Sequence, residues 1–207
     1  GFIMSIVTLN DRAVRSVSSF GSLNTGSMVF IKKLTASSSS DLTFINGSSD
    51  VVFDSTYKEY VFTFKDIHAP GGSEDFTFQV DTGTNTNFNQ TITSSVFRAY
   101  HNEAGNDAAL GYMAGIDQAQ GTSFQTLVDD TGHDNDNCTV GYLRIFEPAS
   151  TTFVKHFLAT TNNVIDTYSQ NFNVAGYFNT TTALTRVRFK MTSGNIDAGD
   201  ICLYGIN

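Results

Sequence analysis

Residues 186–206 decide the fold of this chain, and they read RVRFKMTSGNIDAGDICLYGI. Apolar residues fall at every second position on both sides of a Ser-Gly-Asn turn, at Val187, Phe189 and Met191 and again at Ile201, Leu203 and Gly205. Because successive side chains of a strand point to opposite faces, this spacing predicts two strands, each with one buried and one solvent-facing side. We expect the two to pair with each other as antiparallel neighbours.

Short apolar runs of the same kind occur along the rest of the chain, separated by turns rich in Ser, Thr, Asn and Gly. In the longest run the alternation places Tyr60, Phe62 and Phe64 on one face. No segment keeps a helical period over three turns, although Gln118–Gln120 would permit a short helix. About ten strands at this spacing predict one all-β domain over residues 26–207, an antiparallel two-sheet β-sandwich of jelly-roll type.

Residues 1–25 keep neither the strand period nor the helix period. We interpret them as an N-terminal arm in which Asn10 or Asp11 could cap one helical turn through Val14. The alternative is an ordinary first strand of the same domain. An arm with unburied apolar residues would dock on a neighbouring subunit or anchor the chain to a larger particle.

The composition of this 207-residue chain excludes several classes of function. A hydrophobic fraction of 40% is enough for one core, and the two Pro and 17 Gly fit a turn-rich β protein. The net charge of −8 argues against nucleic acid as a partner, since phosphate binding needs clustered Lys and Arg. No apolar run reaches the roughly 20 residues that a membrane-spanning helix requires, so we expect no membrane insertion. The start, Gly1 to Met4, lacks the basic region of a signal peptide.

Catalytic motifs are missing, and we expect a protein that is not an enzyme and needs no cofactor. There is no G-x-S-x-G elbow and no H-E-x-x-H pair, and the four histidines are isolated in sequence at His68, His101, His133 and His156. A carboxylate pair of the glycosidase kind stays open, but the carboxylates mostly fall at strand ends or turns, where Asp serves the backbone: Glu59, Asp66, Glu74, Asp75 and Asp81. Cys138 and Cys202 allow one disulfide, two free thiols or bonds between chains, and we favour free thiols.

The densest polar cluster is the loop 129–137, which reads DDTGHDNDN. Its oxygen atoms could hold Ca²⁺, and Asp130, Asp134 and Asp136 are the candidate ligands. The loop lacks the EF-hand order of Gly at the sixth and Glu at the twelfth position, so a solvated loop without metal is the favoured interpretation.

Three segments carry a resemblance to a known family: Tyr57–Tyr60, Phe97–Glu103 and Val174–Asn179. Together with the C-terminal strands they make the chain resemble small β-rich virion structural proteins of tailed bacteriophages, especially marine ones. The resemblance covers most of Thr56 to Ile206 and brings no catalytic motif. It implies a virion location, as a head decoration or head fibre subunit or as a tail fibre domain.

Two functions follow as expectations. The first is a structural subunit that assembles with itself, as a homotrimer, and contacts other virion proteins through the N-terminal arm. The second is a module that recognises host surface glycans with exposed aromatics, for which the chain offers Tyr100, Tyr112, Tyr168 and Tyr177. The absence of Trp counts against the second function.

Overall fold

The computed structural model describes residues 27–71 and 73–206, and in these ranges the chain forms thirteen β-strands and no helix. The all-β prediction and the two-sheet β-sandwich are confirmed. The strands are β1 (Met28–Ser39), β2 (Leu42–Ile45), β3 (Glu59–His68), β4 (Phe76–Thr82), β5 (Ile92–Asn102), β6 (Ala108–Tyr112), β7 (Ala119–Gly121), β8 (Gln125–Val128), β9 (Thr139–Phe146), β10 (Lys155–Ile165), β11 (Tyr168–Phe178), β12 (Leu184–Met191) and β13 (Ile196–Ile206). The expected arm, residues 1–25 with its possible helical turn, lies outside the described residues.

Two antiparallel sheets face each other across one core. The large sheet has nine strands in the order β1-β13-β3-β9-β10-β11-β5-β6, with β7 pairing beside β6 on β5. The small sheet has four strands in the order β2-β12-β4-β8. The large sheet is therefore wider than the small one, and part of its inner face extends past the small sheet's β8 edge.

The predicted pairing of the last two strands is wrong. β12 pairs with β2 and β4 in the small sheet, whereas β13 pairs with β1 and β3 in the large sheet. The turn between them exists, with Gly194 at a φ of 67°, but it carries the chain from one sheet to the other. Phe189 and Leu203 are both fully buried, so the period of two identified the inward side of each strand correctly. The period of two does not predict which strand is the hydrogen-bonded neighbour.

An aromatic cluster fills the centre of the core, with Phe189 of β12 in its middle. The Phe189 ring lies 5.3 Å from Phe62 and 5.4 Å from Phe64, centroid to centroid, and contacts three further rings, those of Phe44, Phe76 and Phe78. Tyr60, Phe62 and Phe64 share the buried face of β3 as predicted. Tilted and edge-to-face ring pairs, such as those of Phe189 with Phe62 and Phe64, stabilise the core beyond the burial of their apolar area.

Three strands in the middle of the chain were missed, which accounts for thirteen strands where about ten were expected. The short helix that Gln118–Gln120 would permit is wrong, since Ala119–Gly121 is β7 and the Gln120 side chain donates to the hydroxyl of Thr93 on β5. β6 is exposed along its whole length, so burial imposes no alternation on its sequence. In β6 and β7, pairing with β5 outweighs the low intrinsic strand propensity of their Ala, Gln and Gly residues.

Candidate functional site

The outer face of the large sheet, the side turned away from the small sheet, carries large apolar side chains that no described residue covers. Tyr142 of β9, Leu158 of β10 and Phe97 of β5 are 41%, 45% and 46% exposed. Tyr142 and Phe97 lie in one cross-strand row, joined by Thr160 and Asn173. Further exposed apolar residues on this face are Phe30, Leu110, Tyr112 and Val140.

A hollow of about 260 Å³ opens in the middle of the outer face. It spans four neighbouring strands and is lined by Ser95, Phe97, Tyr142, Arg144, Leu158 and Ala175, among others. Leu158 lies directly between Arg144 and Ala175 in the register of the sheet. Small side chains such as Ser95 and Ala175 lie beside large ones, so the face has a depression into which the side chains of a complementary surface can pack.

The charges of the outer face are largely paired within the chain. Arg144 forms a salt bridge with Glu59, and Lys33 forms one with Asp200 at 3.2 Å. Asp200 also accepts a hydrogen bond from the Thr35 hydroxyl, and these two partners lower the pKa of its carboxyl. What the outer face offers to a partner is therefore a mixture of exposed apolar side chains and uncharged polar ones, such as Thr160 and Asn173.

A second feature lies on the inner side of the large sheet, beside the loop that follows β8. We call it the tyrosine cleft, formed by Arg98 and Tyr100 of β5, Tyr168 and Gln170 of β11, and Asp107 from the turn before β6. The two tyrosine rings lie 5.9 Å apart at 67°. Both hydroxyls donate to one carboxylate, with Tyr100 Oη at 3.4 Å from Asp107 Oδ1 and Tyr168 Oη at 3.0 Å from Asp107 Oδ2.

Arg98 forms the positive part of the tyrosine cleft. Its guanidinium carbon lies 5.0 Å from the centre of the Tyr100 ring, and its Nη1 donates to Gln170 Oε1 at 3.4 Å. Asp129, in the loop after β8, lies 4.0 Å from the same guanidinium. The hydrogen bond to Asp107 raises the pKa of Tyr168, since the neighbouring carboxylate disfavours the phenolate.

The turn 102–107 holds Asp107 in place. Asn102, nearly buried, accepts hydrogen bonds from the backbone N–H of Asn106 and Asp107, both at 3.1 Å, and donates to the Asn106 side chain at 2.7 Å. Gly105 supplies the positive φ of 70° that the reversal requires. The carboxylate of the tyrosine cleft therefore sits on a fixed turn.

Of the four tyrosines predicted as sugar contacts, the structure brings two together. Tyr100 and Tyr168 meet in the tyrosine cleft, whereas Tyr112 and Tyr177 lie on the opposite, outer face. Tyr112 donates to Asp117 at 2.6 Å, and the Tyr177 ring lies 6.0 Å from that of His156. Sequence reasoning missed Arg98, Asp107 and Gln170, although Arg98 and Tyr100 share one face of a strand by their spacing.

The candidate metal ligands are not brought together. The Asp130 carboxylate accepts the N–H of Gly132 at 3.1 Å, Asp134 is held through its backbone carbonyl, which faces His68, and Asp136 is exposed. Over residues 27–71 and 73–206, no three His, Cys, Asp or Glu side chains form a group that could hold a metal ion. In the same ranges both cysteines are free thiols, as favoured above.

Asp81 serves the backbone, as its position at a strand end predicted. It is fully buried, and its carboxylate accepts hydrogen bonds from Asn85, Phe88 N–H and Gln90 at 2.9, 2.9 and 3.1 Å. These contacts fix the loop between β4 and β5. The carboxylate is occupied by this loop rather than directed at solvent.

The partly buried carboxyl group of Asp75 makes the stability of the fold depend on pH. Burial raises the pKa of its carboxyl, and Asp129 and Asp130 add to the rise. Because the native pKa lies above the unfolded value of about 3.9, the folded chain loses stability as pH rises from below that value through the native pKa. We expect Asp75→Asn to raise the Tm at pH 7, with a difference from wild type that shrinks toward pH 3.

Thermal unfolding followed by circular dichroism between pH 3 and 7 checks this. Asp136→Asn, at an exposed position, serves as the control and should leave the Tm unchanged. A lower Tm for Asp75→Asn at pH 7 would contradict the prediction, because the hydrogen bond from Asp130 N–H to the charged carboxylate would then outweigh the cost of burial.

Comparison of this chain with family models, with curated proteins and with solved structures finds no match. Within the described part of the chain, no helix is long and apolar enough to cross a bilayer.

Proposed function

We propose that this chain is a non-enzymatic structural protein of a tailed-bacteriophage virion, a head decoration or head fibre subunit or a tail fibre domain, that assembles as a homotrimer. The observation that carries the assembly part is the group of exposed apolar side chains on the outer face of the large sheet. The resemblance of its strand and turn sequences to phage virion proteins supports the location. Assembly would bury the outer face between subunits.

Apolar side chains that stay in water cost free energy. Each Å² of apolar surface removed from water contributes about 25 cal/mol. Contiguous apolar patches on a protein surface commonly mark an interaction site. Around the hollow, the exposed side chains of Phe97, Tyr142 and Leu158 lie within one small area, with polar side chains such as Thr160 and Asn173 between them. A symmetric oligomer presents the same patch from every subunit, which suits a particle built from repeated copies.

The sandwich is, in our interpretation, a jelly roll with two insertions. Four antiparallel pairs are nested in chain order: β1 with β13, β2 with β12, β3 with β9, and β4 with β8. These eight strands form two rows of four, β1-β13-β3-β9 and β2-β12-β4-β8, as a long hairpin folded over on itself would. The strands β5 to β7 and β10 to β11 are then additions that widen the large sheet.

The N-terminal arm, residues 1–25, is proposed to contact other virion proteins. It joins the described chain next to β1, the edge strand of the large sheet. Met28 and Phe30 of that strand are exposed apolar residues.

Gel filtration coupled to light scattering tests the assembly. We expect a mass of three times the 22.5 kDa chain at micromolar concentration. A strictly monomeric mass contradicts self-assembly through the outer face. Mass spectrometry of purified virions tests the location, and absence of the chain from them overturns it.

The second candidate function is recognition of host surface glycans. The tyrosine cleft favours it, because two tyrosine rings, a carboxylate and a guanidinium converge there. The two functions are compatible, since assembly uses the outer face and the cleft lies on the inner side.

A further inference from the structure

We infer that the tyrosine cleft is a binding site for a single neutral sugar ring, with Tyr100 and Tyr168 as the apolar contacts and Asp107 as the acceptor for sugar hydroxyls. This deepens the second function proposed above and rests on it. The cleft lies apart from the outer face, so its role is separable from assembly.

The two tyrosine rings supply the apolar contacts of the proposed site. A sugar ring has apolar C–H faces and a polar edge of hydroxyls, and tyrosine rings combine an apolar body with a polar tip in the same way. Tyr100 and Tyr168 stand at 67° to each other with their centres 5.9 Å apart, so they form a corner rather than a flat wall. Both are partly exposed.

The polar part is already oriented. Asp107 accepts one hydrogen bond on each carboxylate oxygen, and a carboxylate has about four lone-pair sites, so two remain for sugar hydroxyls. Arg98 and Gln170 supply N–H donors next to it, and Gln170 is only 8% exposed. Because Asn102 fixes the turn that carries Asp107, binding would order few side chains and lose little entropy.

Size and charge limit the ligand. The cleft measures about 230 Å³, below the roughly 300–1,000 Å³ that drug-sized ligands occupy, so it suits one ring. Its charged groups are one guanidinium, Arg98, and two carboxylates, Asp107 and Asp129. The excess of negative charge, on a chain of net charge −8, disfavours sialic acid and other anionic sugars.

Ligand-observed NMR on the full chain tests the inference. The probes are the methyl glycosides of glucose, galactose, mannose and N-acetylglucosamine, with sialic acid as the charged comparison. We expect saturation transfer to at least one neutral glycoside and none to sialic acid. Tyr168→Ala and Asp107→Asn are expected to weaken binding at least about tenfold, because each removes a central contact.

A matched pair of controls exists on the outer face. The Tyr112 hydroxyl donates to Asp117 as the Tyr168 hydroxyl donates to Asp107. The variants Tyr112→Ala and Asp117→Asn therefore remove the same kind of group outside the tyrosine cleft and should leave sugar binding unchanged. No transfer to any neutral glycoside overturns the inference, as does binding of sialic acid alone, or equal loss in the control and cleft variants. An intact oligomer that fails to bind sugar rejects this inference while leaving the assembly proposal standing.

Discussion

Leu158→Lys converts the assembled protein into a 22.5 kDa monomer if the outer face is the interface, and this is the largest change that we expect from any single substitution. Leu158 lies between Arg144 and Ala175 at the hollow of the outer face and is 45% exposed. A lysine there would bring an unpaired charge into a desolvated interface beside Arg144, which costs several kcal/mol. The folded subunit tolerates it, because the side chain faces solvent in the monomer.

The measurement is light scattering coupled to gel filtration, with circular dichroism to establish that the variant is folded. Ile45→Lys is the matched control, since Ile45 is an exposed apolar residue of the other sheet, 37% exposed at the end of β2. The control should keep the oligomeric mass of the wild type. A folded Leu158→Lys protein with that oligomeric mass would show that assembly uses another surface.

Phe189→Ala is expected to lower the free energy of unfolding by about 3–5 kcal/mol, the range for removing a fully buried aromatic ring. Phe189 contacts the rings of five other phenylalanines from both sheets, so its removal leaves a cavity that the surrounding strands cannot close. A loss of this size is a large part of the 5–15 kcal/mol that stabilises a typical domain.

Urea denaturation followed by circular dichroism measures this loss. Phe153→Ala serves as the comparison, because Phe153 is 67% exposed and its truncation should change stability by no more than about 0.5 kcal/mol. If the Phe189→Ala variant is too unstable to fold, Phe189→Leu tests the same position with a smaller loss of unfolding free energy. A change below about 1 kcal/mol for Phe189→Ala would mean that the aromatic cluster contributes far less than its burial implies.

The candidate sites were predictable only in part. Tyr100 and Tyr168 were named from the sequence as sugar contacts, together with Tyr112 and Tyr177, and nothing local separates the first two from the others. What separates them is the pairing of β5 with β11, which places Tyr100 opposite Gln170 and next to Tyr168. Asp107 joins them because the turn after β5 folds back along the same strand.

Asp130, Asp134 and Asp136 are close in sequence, but the loop uses Asp130 to hold its own backbone. Proximity along the chain therefore predicted a cluster of metal ligands that the folded loop does not form. A hydrogen bond from a nearby backbone N–H to the side chain is a common role of Asp in turns, and Asp130 shows it here.

The sequence by itself determined the all-β class, the sandwich and the inward side of its main strands, because alternation of apolar and polar residues follows directly from the geometry of a strand. Only the tertiary structure decided that β12 and β13 lie in different sheets, that β6 to β8 are strands, and which side chains share the outer face and the tyrosine cleft. The reason is that strand pairing joins residues far apart in the chain, and the energy that selects partners comes from packing across the sheets rather than from any local pattern.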